Sequence, residues 1–379
     1  MHPRTTPFPS GSDASALPTD LLPRECLRAH IQRLFPDPTP EIQVLPLLGD
    51  ASDRRYYRVL LTPAAHGIPS LVLMHLAKPY PPGDLPFLNV QRYFALKGIP
   101  VPRVFSDDPT HGIILLEDLG DRTLEAAVRE ASCEEIQQWY HQALDILITL
   151  QQPEAPLSRE HCVAFRLAFD VDKLMWELDF FVTYMLKHLC GRQLPATAEA
   201  AMRGQFWKLS AELARQPRVL THRDYHSRNL MLQQGSLRVI DFQDARLGPC
   251  QYDLASLLYD SYFVLPDKLR AQLLTYYLDR RSDAKAPRLD HEEFAHLFEY
   301  MCLQRNLKAL GTFAFQVAVK GNRRYVDAIL PTMGYVRENL ARHPELRELG
   351  EMLEEYLFGA FAATAAALRS HPPDIHPIH

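Results

Sequence analysis

The first part of the chain alternates short apolar runs with turn residues, which is the pattern of β-strands. The runs IQVLPLL, YYRVLL and SLVLMHL are rich in β-branched or aromatic residues and are separated by Gly, Pro, Asp and Ser. A fourth, almost wholly apolar run, GIILLEDLG, begins at Gly112. Amphipathic helices are predicted at 21–35, before the strands, and at 88–97, where Gly98 is the expected cap. The N-terminal part is therefore predicted to be rich in strands.

After Gly120 the apolar residues recur with the 3.6 period of the α-helix. Helices are predicted over residues 122–151, 165–189, 198–215, 252–263, 268–280, 291–315 and 336–369. The stretch around Gly235 departs from this pattern, because the apolar runs 230–232 and 237–240 flank the turn QQGS and predict a β-hairpin. Strands first and helices second predict an α+β fold with two lobes, a β-rich N-lobe and a helical C-lobe that contains the hairpin.

Length and composition agree with two lobes that each have a core. The chain has 379 residues, of which 47% are hydrophobic and 23% charged, as in an ordinary globular protein. Residues 1–20, rich in Pro, Ser and Thr, and residues 371–379 are predicted to be tails. The N-lobe is then expected at 21–119 and the C-lobe at 120–370.

Charge, hydropathy and cysteine spacing narrow the partners and the location. The net charge of −5 gives no reason to expect nucleic acid as a partner. No run reaches the roughly 18 apolar residues of a membrane span, and the six cysteines contain no C-x-x-C pair. We therefore expect a cytoplasmic protein with reduced thiols and no membrane association, and nothing indicates an obligate protein partner.

The hairpin is expected to gather three oxygen-bearing side chains. Asn229 lies six residues before Gly235 and Asp241 six residues after it, so the two should face each other about 5 Å apart at the open end of the ladder. Asp224 lies in the polar loop that leads into the hairpin. Carboxylate and amide oxygens suit Mg²⁺, which takes one or two protein ligands together with substrate phosphates.

The same three residues have the spacing of a phosphoryl-transfer site. The sequence HRDYHSRN, from His222, has the spacing H-R-D-x-x-x-x-N, and DFQ begins 12 residues after Asn229. We therefore predict that Asp224 accepts the proton of the acceptor hydroxyl and that Asn229 and Asp241 hold Mg²⁺ against nucleotide phosphates. A polar surface loop followed by an edge hairpin is the alternative, but it does not account for all three residues at these spacings.

The segment 219–244, which contains these three residues and is called the catalytic stretch below, resembles a family of small-molecule kinases. The segments THRDYHSRNLM and VIDFQDARLGPCQYDLASLL are similar to the choline-kinase and aminoglycoside-phosphotransferase group, which shares the protein-kinase-like fold. The segments GDASDRRYYRV, PVPRVFSDDPTHGIILLEDLG, DKLMWELDFFVTYML and LQRNLKALGTF resemble the bacterial anomeric kinases of N-acetylmuramate and N-acetylglucosamine. The resemblance implies transfer of phosphate from ATP, with Mg²⁺, to the anomeric hydroxyl of an amino sugar in cell-wall recycling.

The resemblance also implies where the nucleotide binds. The loop at 49–55, with Ser52 and Arg54, would cover the ATP phosphates. Backbone groups near Glu117 and Leu119 would meet the adenine ring at the connection between the lobes.

One further residue matches the family pattern, and one residue of that pattern is missing. Asp253 resembles the acidic residue that braces the catalytic loop from the following helix. The lysine that protein kinases carry on the third strand is missing from SLVLMHL, and Lys78, Arg54 or Arg55 is a candidate replacement.

Candidate acceptor residues lie after the hairpin. Asp244 follows the predicted metal ligand closely and is a candidate, with a plain turn residue as the alternative. Arg305 and Asn306 lie on the helix predicted at 291–315, where an arginine can meet a carboxylate or hydroxyl groups of a sugar. A solvated helix face is the alternative for this pair.

Two other functions stay open at this point. An aminoglycoside or amino-alcohol kinase would gather carboxylates for a cationic acceptor, and the helical half shows no dense acidic cluster. The missing strand lysine suggests a nucleotide-binding pseudokinase that regulates a partner. The complete set of Asp224, Asn229 and Asp241 argues against that function.

Overall fold

The computed structural model describes residues 24–47, 54–83, 85–153, 162–283 and 290–370. The strands in these ranges are β1 (Glu41–Leu47), β2 (Arg54–Ala65), β3 (Ile68–Leu76), β4 (Val104–Asp108), β5 (Ile113–Glu117), β6 (Arg218–Thr221), β7 (Leu230–Gln233), β8 (Ser236–Val239) and β9 (Arg246–Pro249). The α-helices are α1 (Arg24–Leu34), α2 (Pro86–Leu96), α3 (Leu124–Val128), α4 (Cys133–Gln151), α5 (Val171–Phe181), α6 (Ala196–Ala214), α7 (Gln251–Leu258), α8 (Asp267–Asp283), α9 (His291–Ala318), α10 (Val326–Arg342), α11 (Arg347–Leu353) and α12 (Gly359–Ser370). π-Helical segments, Val182–Leu189 and Glu354–Phe358, continue α5 and α11.

Internal contacts divide the chain into two compact units. The N-terminal unit comprises the described residues of Met1–Pro82 and Pro102–Asp118, and the C-terminal unit those of Gly83–Val101 and Leu119–His379. The first carries β1 to β5 and the second most of the helices, so the predicted α+β class is confirmed. Helix α2 falls in the predicted N-lobe by sequence but in the C-terminal unit by contacts. The predicted boundaries at 20, 119 and 370 stay predictions.

The N-terminal unit is an antiparallel sheet covered by one helix. Its strand order is β1-β2-β3-β5-β4. Helix α1 and the residue after it place Leu27, Ile31 and Phe35 on one stripe, because residues four apart lie on the same helix face. This stripe packs against buried residues of the sheet such as Val59 and Leu71. Each such side chain contributes roughly 1.5–3 kcal/mol on burial.

Helix α9 is the central element of the C-terminal unit. Asp290 caps its start by accepting hydrogen bonds from Glu292 N and Glu293 N, both at 2.9 Å. Along the helix an apolar series is buried, including Met301, Leu303, Leu307 and Leu310. The helix packs against α5, α7 and α10. Among the described helices, none is long and apolar enough to cross a membrane.

Two predicted helices are interrupted, and the helix predicted at 165–189 begins only at Val171. The predicted helix 122–151 is two helices, because Ser132 begins α4 with a capping box in which Glu135 N donates to Ser132 Oγ and Ser132 N donates to Glu135. The predicted helix 336–369 is broken after Arg342, just before Pro344, whose ring and missing N–H disfavour continuation. Local capping and proline chemistry outweighed the apolar period at both places.

Candidate active site

Two short antiparallel strand pairs hold the catalytic stretch in place. Strand β6 pairs with β9, which brings the start and the end of the stretch together. This pair was not predicted from the sequence. The predicted hairpin is confirmed as β7 and β8, and its turn places Gln234 at φ 50° and Gly235 at φ 80°. Two successive positive φ angles are typical of the type I′ turn, whose twist matches that of the paired strands.

The hairpin register differs from the predicted one by one residue. Leu230 lies opposite Val239, so the residue opposite Asn229 is Ile240. The N–H of Ile240 donates to Asn229 O at 3.0 Å. The predicted opposition of Asn229 and Asp241 is therefore wrong. The backbone of Asp241 has φ 63°, outside the strand region, and its Oδ2 still lies 3.5 Å from Asn229 Nδ2. The two side chains are together at the end of the hairpin.

The oxygen atoms at this position fit a hard divalent cation. Asn229 Nδ2 donates to the carbonyl oxygen of Asp224 at 2.9 Å, and this orients the amide so that its oxygen is the atom left for a ligand. Asp241 contributes a carboxylate, which Gln243 Nε2 contacts through Oδ1 at 2.7 Å. Carboxylate and amide oxygens without sulfur are the ligands that Mg²⁺ and Ca²⁺ prefer.

A buried aromatic residue anchors Asp241. The next residue, Phe242, is 0% exposed and stacks on Phe87 of α2, with ring centroids 5.0 Å apart. Phe94 of the same helix lies 5.7 Å from it. Asp241 belongs to a loop, but the packing of the adjacent Phe242 in this aromatic cluster fixes the backbone that carries its carboxylate.

The two carboxylate oxygens of Asp224 have different surroundings. Oδ1 accepts a hydrogen bond from Lys308 Nζ at 2.7 Å and lies 3.4 Å from Arg305 NH2. Among the described residues, Oδ2 accepts no hydrogen bond, and Arg223 Nε lies 4.0 Å from it. Burial raises the pKa of Asp224, but Lys308, Arg223 and Arg305 outweigh it and hold the pKa well below its usual value. The group is an ionised acceptor with one oxygen available.

The loop that carries Asp224 is fixed by the carboxylate of Asp253 on α7. His222 N donates to Asp253 Oδ2 at 2.6 Å and Arg223 N donates to Oδ1 at 2.9 Å. This confirms Asp253 as the predicted brace. His222 Nε2 lies 2.9 Å from Ile240 O, which ties the loop to the hairpin. Arg223 has φ 85°, a strained value that these contacts sustain.

A pocket open to solvent lies beside Asp224 in the C-terminal unit. The ionisable and amide side chains that line it are Asp224, His226, Asp260, Arg305, Asn306 and Lys308. Asp260 is turned away from a ligand, because its oxygens accept from Ser227 N and Tyr262 N, both at 2.8 Å. The pocket therefore offers two cations and one available carboxylate.

The predicted acceptor residues divide into two groups. Arg305 and Asn306 line the pocket, and their role toward an acceptor stays a prediction. Asp244 is not among the lining residues; its side chain is 54% exposed and binds Arg223 NH1 at 2.7 Å. Lys308 was missed as a site residue. A second cation one helical turn after Arg305, in an otherwise apolar helix, is the signal that would have found it.

The predicted nucleotide residues are only partly described. Ser52 lies outside the described residues. Arg54 is the first residue of β2, opposite Leu76, and so lies in the strand and not in the preceding loop. Glu117 ends β5 in the N-terminal unit, and Leu119 is 7% exposed in the C-terminal unit. Their role toward a nucleotide stays a prediction.

The sequence also matches a known family, described as the phosphotransferase enzyme family, over residues 43–289. The chain belongs to this family. Among its relatives, an N-acetylmuramate/N-acetylglucosamine kinase of Pseudomonas aeruginosa is 33% identical and aligns with 85% of this chain and 91% of its own length. The kinase of the same name from Neisseria meningitidis serogroup B is 30% identical over 87% of this chain and 94% of its own.

Solved structures of phosphotransferases share the fold at low sequence identity. The ADP-bound aminoglycoside phosphotransferase APH(2'')-Ib is 16% identical, with a TM-score of 0.53 over 82% of this chain and 98% of that one. A choline kinase from Cryptosporidium parvum Iowa II is 13% identical, with a TM-score of 0.51 over 92% of this chain and 100% of that one. The predicted protein-kinase-like fold is thereby confirmed, and this member of the family is a small-molecule kinase.

Proposed function

We propose that the protein is an ATP- and Mg²⁺-dependent kinase that phosphorylates the anomeric hydroxyl of N-acetylmuramate or N-acetylglucosamine. The relatives that align along most of the chain carry the name of this activity. The observation that carries the proposal is the ionised carboxylate of Asp224, which lines a pocket and whose Oδ2 accepts no hydrogen bond from the described residues.

The polar side chains at the site each have a place in this reaction. ATP with Mg²⁺, when bound, supplies the phosphoryl group and neutralises its charge, and Asn229 and Asp241 are the residues that would hold the metal. The anomeric hydroxyl donates its hydrogen bond to Asp224 Oδ2, which orients the oxygen for in-line attack. The new bond joins this oxygen to phosphorus, the bond from phosphorus to the oxygen of ADP breaks, and Asp224 receives the proton.

The charge of the pocket favours a sugar over a cationic acceptor. Arg305 and Lys308 both line it, and Asp224 is the available carboxylate opposite them. A positively charged aminoglycoside or amino alcohol would be repelled, since like charges in a poorly solvated site cost free energy. We also infer a cytoplasmic location, with which the six free cysteines agree.

The proposal is tested by measuring ADP release with Mg-ATP and N-acetylmuramate, N-acetylglucosamine, kanamycin or choline. We expect turnover with one or both sugars, and a product without a reducing end. Turnover with only kanamycin or choline, or a sugar product that keeps its reducing end, would contradict the proposal.

The role of Asp224 is tested by Asp224→Asn. We expect kcat to fall roughly 10²- to 10⁴-fold, because the amide cannot accept the proton, while ATP binding measured by calorimetry changes little. Asp267→Asn, at a side chain that is 92% exposed, is the control for loss of one carboxylate. Activity of Asp224→Asn equal to that of the control would exclude Asp224 as the base.

A further inference from the structure

The acceptor pocket contains hydrogen-bond donors for which the described residues offer no acceptor. Asn306 is 3% exposed, and its Nδ2 is buried without a hydrogen-bond partner. Arg305 is 7% exposed; its NH2 donates to Ser256 Oγ at 3.1 Å and lies 3.4 Å from Asp224, but its Nε is buried and has no partner. Buried donors are nearly always satisfied, because an unpaired one loses the free energy of its hydration. Both side chains line the pocket, so its wall is built from two polar residues whose hydrogen bonding is incomplete within the described part of the chain.

The charge around these donors indicates what kind of ligand they lack. Arg305 and Lys308 place two positive charges at the wall, and Lys308 is engaged with Asp224 at 2.7 Å. The other lining carboxylate, Asp260, is occupied by two backbone N–H groups. Arg305 is thus a buried cation that shares Asp224 with a closer partner. A negatively charged ligand group would pair with the guanidinium of Arg305.

We propose that Arg305 and Asn306 form a subsite for a carboxylate group on the acceptor. The planar guanidinium of arginine and an adjacent amide N–H match the two oxygens of a carboxylate. This inference rests on the proposed function. Of the two candidate sugars, N-acetylmuramate carries a carboxylate, on the lactyl ether at C3, and N-acetylglucosamine carries a hydroxyl at that position. Arg305 and Asn306 are then the residues that distinguish the two acceptors.

The same cations could instead serve only the transfer step through Asp224. Both sugars present the same anomeric hydroxyl, so any effect on the transfer step lowers both activities alike. An effect on the carboxylate contact lowers only the activity on N-acetylmuramate. The ratio of the two kcat/KM values separates these explanations without a need for either activity to stay unchanged.

The test is the ratio of kcat/KM for N-acetylmuramate to that for N-acetylglucosamine in the full-length protein and its variants. In Arg305→Gln we expect this ratio to fall roughly 10- to 100-fold, as for the loss of a charged hydrogen bond, mainly through a higher KM for N-acetylmuramate. In Asn306→Asp the new carboxylate occupies the subsite, and the ratio falls in the same direction. Lys320→Gln, at an exposed cation just after α9, is the control and leaves the ratio unchanged. An unchanged ratio in Arg305→Gln and Asn306→Asp overturns the inference.

A direct binding measurement tests the subsite independently of the proposed function. Calorimetric titration of N-acetylmuramate should give a Kd that rises at least tenfold in Arg305→Gln, when thermal unfolding shows that the variant is folded. If the wild-type protein phosphorylates neither sugar but binds N-acetylmuramate through Arg305, the proposed function fails and the subsite stands. If the wild-type protein does not bind N-acetylmuramate more tightly than N-acetylglucosamine, the subsite is refuted.

Discussion

Asp224 illustrates how the surroundings of single atoms decide a residue's chemistry. Its Oδ1 is bound by Lys308 at 2.7 Å, whereas Oδ2 accepts no hydrogen bond from the described residues. A carboxylate held on one oxygen cannot rotate freely, so the other oxygen keeps a fixed direction. We expect Lys308 to act through Asp224 by this restraint, in the manner of a positioning residue.

Lys308→Met tests this expectation. Methionine keeps the length of the side chain and removes the charge, so kcat for both sugars should fall roughly 10- to 100-fold while KM changes little. In an Asp224→Asn background the same change should have almost no further effect, because residues that act as one unit are not additive. Lys308→Arg should restore part of kcat. Independent, multiplying losses in the double variant would contradict a role through Asp224.

At the residue scale, the sequence allowed the candidate site residues to be named but did not predict the contacts between them. Asp224, Asn229, Asp241, Arg305 and Asn306 were recognisable, because motif spacing and charge in an apolar helix are visible in the sequence. The pairing of Lys308 with Asp224 was not, since it joins side chains 84 residues apart. Only the packing of α9 against the catalytic loop creates that contact.

Helix α9 approaches its neighbour closely at one glycine. A Cβ at Gly311 would lie 2.8 Å from Phe181 Cα and 2.9 Å from Phe181 N, which is closer than real Cβ atoms come to backbone. The atoms in conflict belong to the backbone and cannot rotate away. The position of α9, and with it that of Arg305, Asn306 and Lys308, depends on the absence of a side chain there.

We therefore expect Gly311→Ala to destabilise the protein by about 1–3 kcal/mol, although alanine is the better helix former. Gly204→Ala is the matched control: Gly204 lies in α6, and a Cβ there meets no atom within 4 Å. That change should stabilise the protein by roughly 0.5–1 kcal/mol. Urea unfolding measures both. Equal effects of the two substitutions would show that α9 is free to shift.

At the element scale, local patterns were predicted and long-range pairs were not. The hairpin β7–β8 was predicted, because its strands flank a turn that contains Gly235. The predicted register was wrong by one residue, because it was counted from Gly235, whereas the turn is centred between Gln234 and Gly235. The pair β6–β9 was missed because each strand has four residues and the two are far apart in the sequence.

At the scale of the whole molecule, folding buries His226 and thereby favours its neutral form. Burial, the largest cause, lowers the pKa of His226 to about 3, against the opposing attraction of Asp224. In the unfolded chain the pKa returns to roughly 6.5. The unfolded state thus binds a proton first as the pH falls, so this group's contribution to stability is present above pH 6.5 and is lost between about 6.5 and 3.

His226→Gln should therefore reduce the acid sensitivity of folding. In the wild-type protein this histidine alone contributes a slope of at most about 1.4 kcal/mol per pH unit below pH 6. Unfolding free energies measured in urea between pH 7 and 4.5 should fall less steeply in the variant. His188→Gln, at an exposed histidine, is the control. Parallel curves for the wild type and His226→Gln would mean that His226 is protonated in the folded protein.

The fold class was predictable because it needs only the order of strands and helices along the chain. The division into units was less predictable, since α2 lies between strands β3 and β4 in the sequence but packs its Phe87 and Phe94 on Phe242. That contact spans about 150 residues, and no local signal predicts it.

The left-handed backbone of Asp241, at φ 63°, has a consequence for mutational tolerance. Aspartate and asparagine enter this region at little cost, whereas most other side chains add roughly 1–3 kcal/mol of strain. A replacement such as glutamate would thus alter the hairpin end before it altered any coordination. Asparagine is the one substitution that keeps the backbone and changes only the charge. Aspartate at this position therefore serves the shape of the chain and the chemistry of the carboxylate at once.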